Sequence, residues 1–255
     1  MAHSISHKLI IELNGSELTL ITVKKDGLVA NIEVYPFFDQ PILEQILEKL
    51  PEIYTNITVL IRRKPFISVP ENFYSANLSD IYKLSHEWPE SEELYLDKSD
   101  NGIGIAYFLD PTFVSLVTAK FQRVTFQHEA SVILKKLYKE VNFKQPRILF
   151  SINNETLIIF AINNAQLVLC NTYQAKTNDD VFYFVMLIFE QLHFLPGETE
   201  LVILGEPPNR TELFDLFKNY IKDINLWIEN YTISEDIKQP HLLAHTFAVQ
   251  AMLCE

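Results

Sequence analysis

The chain has 255 residues, 48% of them hydrophobic and 21% charged, which places it among ordinary globular proteins and excludes a disordered or fibrous polymer. With 21 Lys plus Arg against 33 Asp plus Glu, the formal charge is −12, which argues against nucleic acid as a partner. No stretch approaches ~18 uninterrupted apolar residues, so membrane insertion is not encoded; two cysteines, Cys170 and Cys254, make no disulfide framework, and a cytoplasmic location is expected.

From the N-terminus, Lys8 to Leu13 and Leu18 to Val23 flank an Asn14-Gly15 turn, a strong hairpin signal. A second turn, Asp26-Gly27, leads into Leu28 to Tyr35 and completes a three-stranded meander. Pro41 then opens the helical pattern Ile42, Leu43, Ile46, Leu47 and Leu50, and Asn56 to Ile61 reads as another strand. The order is βββαβ. Arg62-Arg63-Lys64, at the end of that strand, reads as a solvated terminus. The stretch 63–92, rich in Pro, Ser and acidic residues, is either a small subdomain or a long loop. Tyr95 to Asp97 and Ile103 to Phe108 flank Asp100-Asn101-Gly102 as a hairpin; a helix follows Asp110-Pro111, and a longer one covers Ala130 to Val141.

The pattern then recurs. Arg147 to Ile152, Thr156 to Ile162 and Gln166 to Cys170 form a second meander through turns at Asn153-Asn154 and Asn163-Asn164. Thr177 and Asp180 can form a capping box ahead of a helix running from Val181 to Phe194, and Leu201 to Leu204 is the next strand. That helix is apolar on every face, so near-complete burial against the second sheet is expected; the alternative is a partly exposed surface that receives a partner or a second copy. Asn209 or Thr211 caps a helix through Tyr220, Ile224 to Ile228 is a strand, and His241 to Leu253 is a terminal helix. The implied domains are 1–142, with an inserted or extended segment at about 63–110, and 143–255. Two βββαβ units in series suggest an internal duplication.

A duplicated βββαβ unit with a helix after the fourth strand resembles the actin-like ATPase fold, a ribonuclease H-like, bilobal α/β architecture with mixed sheets. The segment Phe66-Ile67-Ser68-Val69-Pro70-Glu71-Asn72-Phe73-Tyr74, between the first meander and the Asp100-Asn101-Gly102 hairpin, resembles an uncharacterised bacterial family, a domain of unknown function assigned that fold. Pro146 to Tyr220 is similar in pattern to the corresponding half of bacterial pilus-assembly and cell-division actin relatives. Active members of the fold place an Asp-x-Gly-Ser/Thr turn after the first strand of each half, where backbone amides cradle phosphate and the Asp orients metal or water. Here the first turn reads Glu12-Leu13-Asn14-Gly15-Ser16, which keeps a carboxylate, a Gly and a Ser with a one-residue change in spacing; read plainly, it is a hairpin turn beside an ordinary edge Glu. The second reads Ser151-Ile152-Asn153-Asn154-Glu155-Thr156, without Gly or Asp. The Gly-Gly pair of active relatives becomes Gly205-Glu206-Pro207-Pro208-Asn209-Arg210, in which prolines remove amide donors and Arg210 could contact an anion.

The resemblance with its eroded turns implies a non-catalytic actin-like scaffold or interaction protein, a pseudoenzyme with a degenerate nucleotide site, no cofactor and no catalytic residue. A protein partner is implied, and a homodimer is an option. The alternative is a divergent nucleotide-binding ATPase or phosphotransferase, taking ATP and Mg through Glu12, Asn14, Gly15 and Ser16 on one side of an interlobe cleft and Gly205 and Arg210 on the other. His241 and His245, four apart on the terminal helix, have the spacing of metal ligands, as do His3 and His7, but lack a third ligand; no metal site is expected.

Overall fold

The computed structural model describes residues 7–227, apart from 16, 25, 37–38, 52–53, 55, 76, 84–88, 100–101, 140–144, 154, 206 and 208. Outside the described residues lie Ser16, Asn154, Glu206, Pro208, Asp100-Asn101, His3 and the proposed terminal helix with His241 and His245. The chain divides into two compact units between Lys136 and Leu137.

In the first unit, β1 (Lys8–Asn14), β2 (Glu17–Val23) and β3 (Val29–Tyr35) form the antiparallel meander. It leads through α1 (Gln40–Lys49) to β4 (Ile57–Arg62). The entry of α1 follows its sequence: the Asp39 carboxylate accepts the Ile42 amide at 3.0 Å, and Pro41 sits in the first turn, where its missing N–H costs nothing. Residues 63–92 contribute β5 (Phe66–Pro70) and α2 (Leu78–Lys83), followed by β6 (Glu93–Asp97), β7 (Ile103–Leu109), α3 (Pro111–Lys120), β8 (Val124–His128) and α4 (Glu129–Lys139), which crosses the boundary between the units. The main sheet runs β3-β2-β1-β4-β8, with β1, β4 and β8 parallel, while β5-β7-β6 forms a separate antiparallel sheet. Gly104 on β7 is required by close approach: an added Cβ would lie 2.9 Å from the Asp97 carbonyl oxygen and from the Tyr74 ring. The strand β5, the helix α2 and the strand β8 have no counterpart in the sequence reading.

In the second unit, β9 (Arg147–Asn153), β10 (Thr156–Asn163) and β11 (Gln166–Gln174) form the other meander, followed by α5 (Asn178–Gln191), β12 (Glu200–Leu204), α6 (Arg210–Phe217) and β13 (Asp223–Trp227). Asn164 and Ala165 both take positive φ, 49° and 63°, as a tight right-twisting hairpin demands. The sheet order is β11-β10-β9-β12-β13, with β9, β12 and β13 parallel. Both units thus thread five strands in one order and one set of directions, the α/β architecture expected of the actin-like ATPase fold. The core of the second unit packs Phe150, Ile159, Val185, Ile188, Leu213 and Phe217 between its sheet and its helices.

One expectation fails here. Only Val181, Val185, Ile188 and Phe189 of α5 are buried, and Tyr183 on the opposite face is 60% exposed. A helix needs only one buried stripe; Phe182 and Phe184 flank it half-buried against the core, and Tyr183 stays at the surface.

Candidate functional site

A buried polar cluster joins three elements of the first unit. Glu12 lies on β1 between β2 and β4, and Arg62 is the last residue of β4; Glu129 opens α4. Arg62 Nη1 donates to Glu12 Oε1 at 2.9 Å and Arg62 Nε to Glu129 Oε2 at 3.1 Å, while the other Glu129 oxygen accepts the Arg63 amide at 2.9 Å. Glu12, Arg62 and Glu129 are 0%, 6% and 1% exposed. Burial opposes the charge on Arg62, but Glu12 and Glu129 outweigh it and hold the guanidinium protonated more firmly than usual. Two readings are corrected. Glu12 is not an edge residue but sits on a central strand, and Arg62 is not solvated but bridges two carboxylates.

Around this cluster, where the parallel strands β1 and β4 end, a cleft of about 470 Å³ is lined by Leu13, Gly15, Ile61, Arg63, Asp110 and Phe113, among others. The carboxyl ends of parallel strands are the usual ligand side of α/β sheets. Gly15 (φ 67°) and Arg63 (φ 59°) are both left-handed there, the latter at a cost of about 1–2 kcal/mol. Lys64 on the rim forms an ion pair with Glu92, and the burial of Arg63, with Arg62 beside it, lowers the hold of Arg63 on its proton. Asn14 is buried at the end of β1. Glu12, Asn14 and Gly15 therefore do converge on one strand end, but the Glu12 carboxylate is engaged by a cation from the chain itself.

In the second unit a pocket of about 340 Å³ opens between the N-termini of α5 and α6 and includes Lys176, Thr177, Asp179, Asn209 and Glu212. Helix N-termini attract anions through their unmet amides and dipole. At α5 the capping box meets two of them: the Thr177 hydroxyl accepts from the Asp180 amide at 3.1 Å, and the Asp180 carboxylate accepts from the Thr177 amide at 3.0 Å and, just ahead of the helix, from the Lys176 amide at 2.9 Å, whereas the Asn209 side chain makes no capping bond at α6. The hydrogen bonds from Thr177, then that from Lys176, hold the Asp180 carboxyl below its usual range. Asp179 and Glu212 add negative charge, and Glu212 accepts from Asn178 Nδ2 at 2.9 Å. Gly205 (φ 75°) donates its amide to the Trp227 carbonyl at 2.9 Å, and Arg210 is the first residue of α6, after the left-handed Asn209.

A third cluster, Asp97, His128 and Ser131, has the composition of a hydrolytic triad but not its wiring. The Asp97 carboxylate accepts from the Ser131 hydroxyl at 2.6 Å, the His128 amide at 2.7 Å and the Tyr107 hydroxyl at 3.0 Å. The His128 ring bonds only backbone: Nδ1 accepts from the Ala130 amide at 3.1 Å, which leaves the proton on Nε2, 3.0 Å from the Lys64 carbonyl. Phe66 and Tyr107 pack on it with centroids at 4.8 and 5.2 Å. No hydroxyl faces a ring nitrogen, so the cluster activates no nucleophile; it ties the β5-β7-β6 sheet to β8 and α4. Burial holds the His128 pKa below its usual 6.5, against the pull of Glu129. The unfolded chain then binds the proton more readily, so this contribution to stability is complete above pH 6.5 and is lost as pH falls below it. The wild-type melting temperature should fall faster below pH 6.5 than that of His128→Gln, and taking the difference cancels Asp97, whose carboxyl burial pushes upward. Parallel curves would contradict a neutral buried imidazole.

Among the described residues no three His, Cys, Asp or Glu are grouped to hold a metal, and no helix is long and apolar enough to cross a membrane. A model of the family described as Protein of unknown function (DUF3822) matches residues 3–224. Among solved structures, the chain is similar to a Bacteroides thetaiotaomicron protein with an actin-like ATPase fold and unknown function: TM-score 0.74, 16% identity, covering 88% of this chain and 91% of that one. It is also similar to the PilM-PilN type IV pilus biogenesis complex (TM-score 0.54, 12% identity, 97% of each chain). A third is the cytoplasmic domain of EpsL, an inner membrane component of the type II secretion system of Vibrio cholerae (TM-score 0.51, 10% identity, 97% and 95%). No curated protein sequence matches. The structural likenesses, all below 25% identity, establish the actin-like fold.

Proposed function

The chain belongs to the DUF3822 family, and we propose that it is a non-catalytic actin-like platform for a protein partner, cytoplasmic, with a nucleotide site that has decayed. The observation that carries this reading is the Glu12–Arg62–Glu129 cluster: a guanidinium bridges the carboxylate that an active relative would keep for metal or water. The second unit agrees. The capping box of α5 occupies the Thr177 and Asp180 amides, the Gly205 amide is spent on Trp227, and Asp179 and Glu212 would meet a phosphate with like charge. These residues do not fit a Mg-nucleotide. Two structural relatives, PilM and the EpsL cytoplasmic domain, are parts of assemblies, which favours protein binding as the use of the fold. The cleft beside Gly15 and Arg63 is what favours the alternative, a divergent ATPase. Steady-state ATP hydrolysis separates them: no turnover above a no-enzyme control is expected, whereas turnover abolished by Asn14→Ala or Gly205→Ala would establish the alternative.

A further inference from the structure

The outward face of α5 carries an apolar groove of about 670 Å³, continuing along the chain from His193 to Pro196. Among the described residues six large hydrophobic side chains are exposed, and three of them meet here: Tyr183 (60%), Leu195 (59%) and Tyr220 (60%). Tyr183 and Leu195 line the groove, and Phe182 joins them to Tyr220, with ring centroids 5.1 Å apart. Scattered exposed apolar residues need no explanation, whereas a contiguous aromatic patch marks a binding surface.

Its size selects the occupant. Ten residues line the groove, against roughly 20–30 on each side of a stable dimer interface, so a second copy would gain too little from it. The positions Tyr183, Leu187 and Glu190 instead follow one another at helical spacing over about 10 Å, a length that two turns of a single helix match with anchors at i, i+3 or i+4, and i+7. Glu190 is the acidic lining residue, and the chain as a whole carries −12, so the complementary helix bears Lys or Arg beside its apolar stripe. We propose that this groove docks one amphipathic α-helix with basic flanks, contributed by a partner protein. The inference rests on the platform reading above and names the chemistry of the partner.

The full-length chain carrying the photoreactive residue benzoylphenylalanine at Tyr183 is cross-linked in its source cells, with the same residue at exposed Val34 as the control position, and the captured peptide is sequenced. That segment is then synthesised and titrated against the purified full-length chain and its Leu195→Asp variant. The expected result is one segment of another protein with apolar residues at helical spacing and Lys or Arg beside them, whose binding weakens by about tenfold or more in Leu195→Asp while the melting temperature holds. The added carboxylate would strengthen non-specific attraction of a basic peptide, so weakening reports the groove itself. Capture of a second copy, capture of an acidic or non-helical segment, no capture above the Val34 control, or unchanged binding by Leu195→Asp would each overturn the proposal. Capture confined to Val34 would overturn this groove and leave the platform reading standing.

Discussion

Replacing Arg62 with methionine should destabilise the protein by about 3–5 kcal/mol, because it leaves two carboxylates buried without their shared cation. Glu12 and Glu129 are 0% and 1% exposed and both bond the guanidinium, so water cannot take its place without opening the end of β4. The loss belongs to the unbalanced charge rather than to the worth of the ion pair: an apolar residue of similar length can be neutral or better once the carboxylates are also removed. The triple variant Glu12→Gln, Arg62→Met, Glu129→Gln should therefore recover a large part of the stability lost in Arg62→Met. Urea unfolding of the two variants tests this. A loss below about 1 kcal/mol for Arg62→Met, the range of solvated ion pairs, would mean that the cluster is open to water and that Glu12 is not neutralised.

Phe217→Ala should cost a similar amount, about 3–5 kcal/mol, by leaving a cavity where the last turn of α6 meets the sheet. Phe217 is fully buried and packs between Phe150 on β9 and Phe182 on α5, with ring centroids at 5.8 and 5.3 Å. Because Phe182 also supports Tyr220 at the edge of the α5 groove, the substitution should weaken helix docking along with stability, whereas Leu195→Asp should weaken docking alone. Urea unfolding reads the first effect; a cost under about 1.5 kcal/mol, the range of tolerated repacking, would contradict the assignment of Phe217 to the centre of this core.

What was legible in the sequence was local. The Asn14-Gly15 and Asn163-Asn164 turns, the helix starts at Pro41 and after Asp110-Pro111, and the Thr177–Asp180 box each depend on residues within a few positions, and each is present as read or within one position of it. The strand β8 escaped notice because Val124-Thr125-Phe126-Gln127-His128 is short; its alternation of apolar and polar residues was the available signal. The fate of Arg62 could not be read from its neighbours, since its partners lie 50 and 67 residues away and burial of a charge is decided by tertiary structure. The α5 helix misled for a related reason. Its composition showed that it must be buried, but not that a single stripe would suffice, leaving Tyr183 at the surface.

The central claim, a nucleotide site that no longer takes nucleotide, is tested most directly by thermal unfolding of the full-length protein with and without millimolar Mg-ATP. A ligand present at 100 times its dissociation constant would add about 2.7 kcal/mol, which for a chain of this size is a rise of several degrees, at roughly 2–4 °C per kcal/mol. The account predicts superimposable curves. An upward shift of that size, removed by Asn14→Ala or Gly205→Ala, would contradict it.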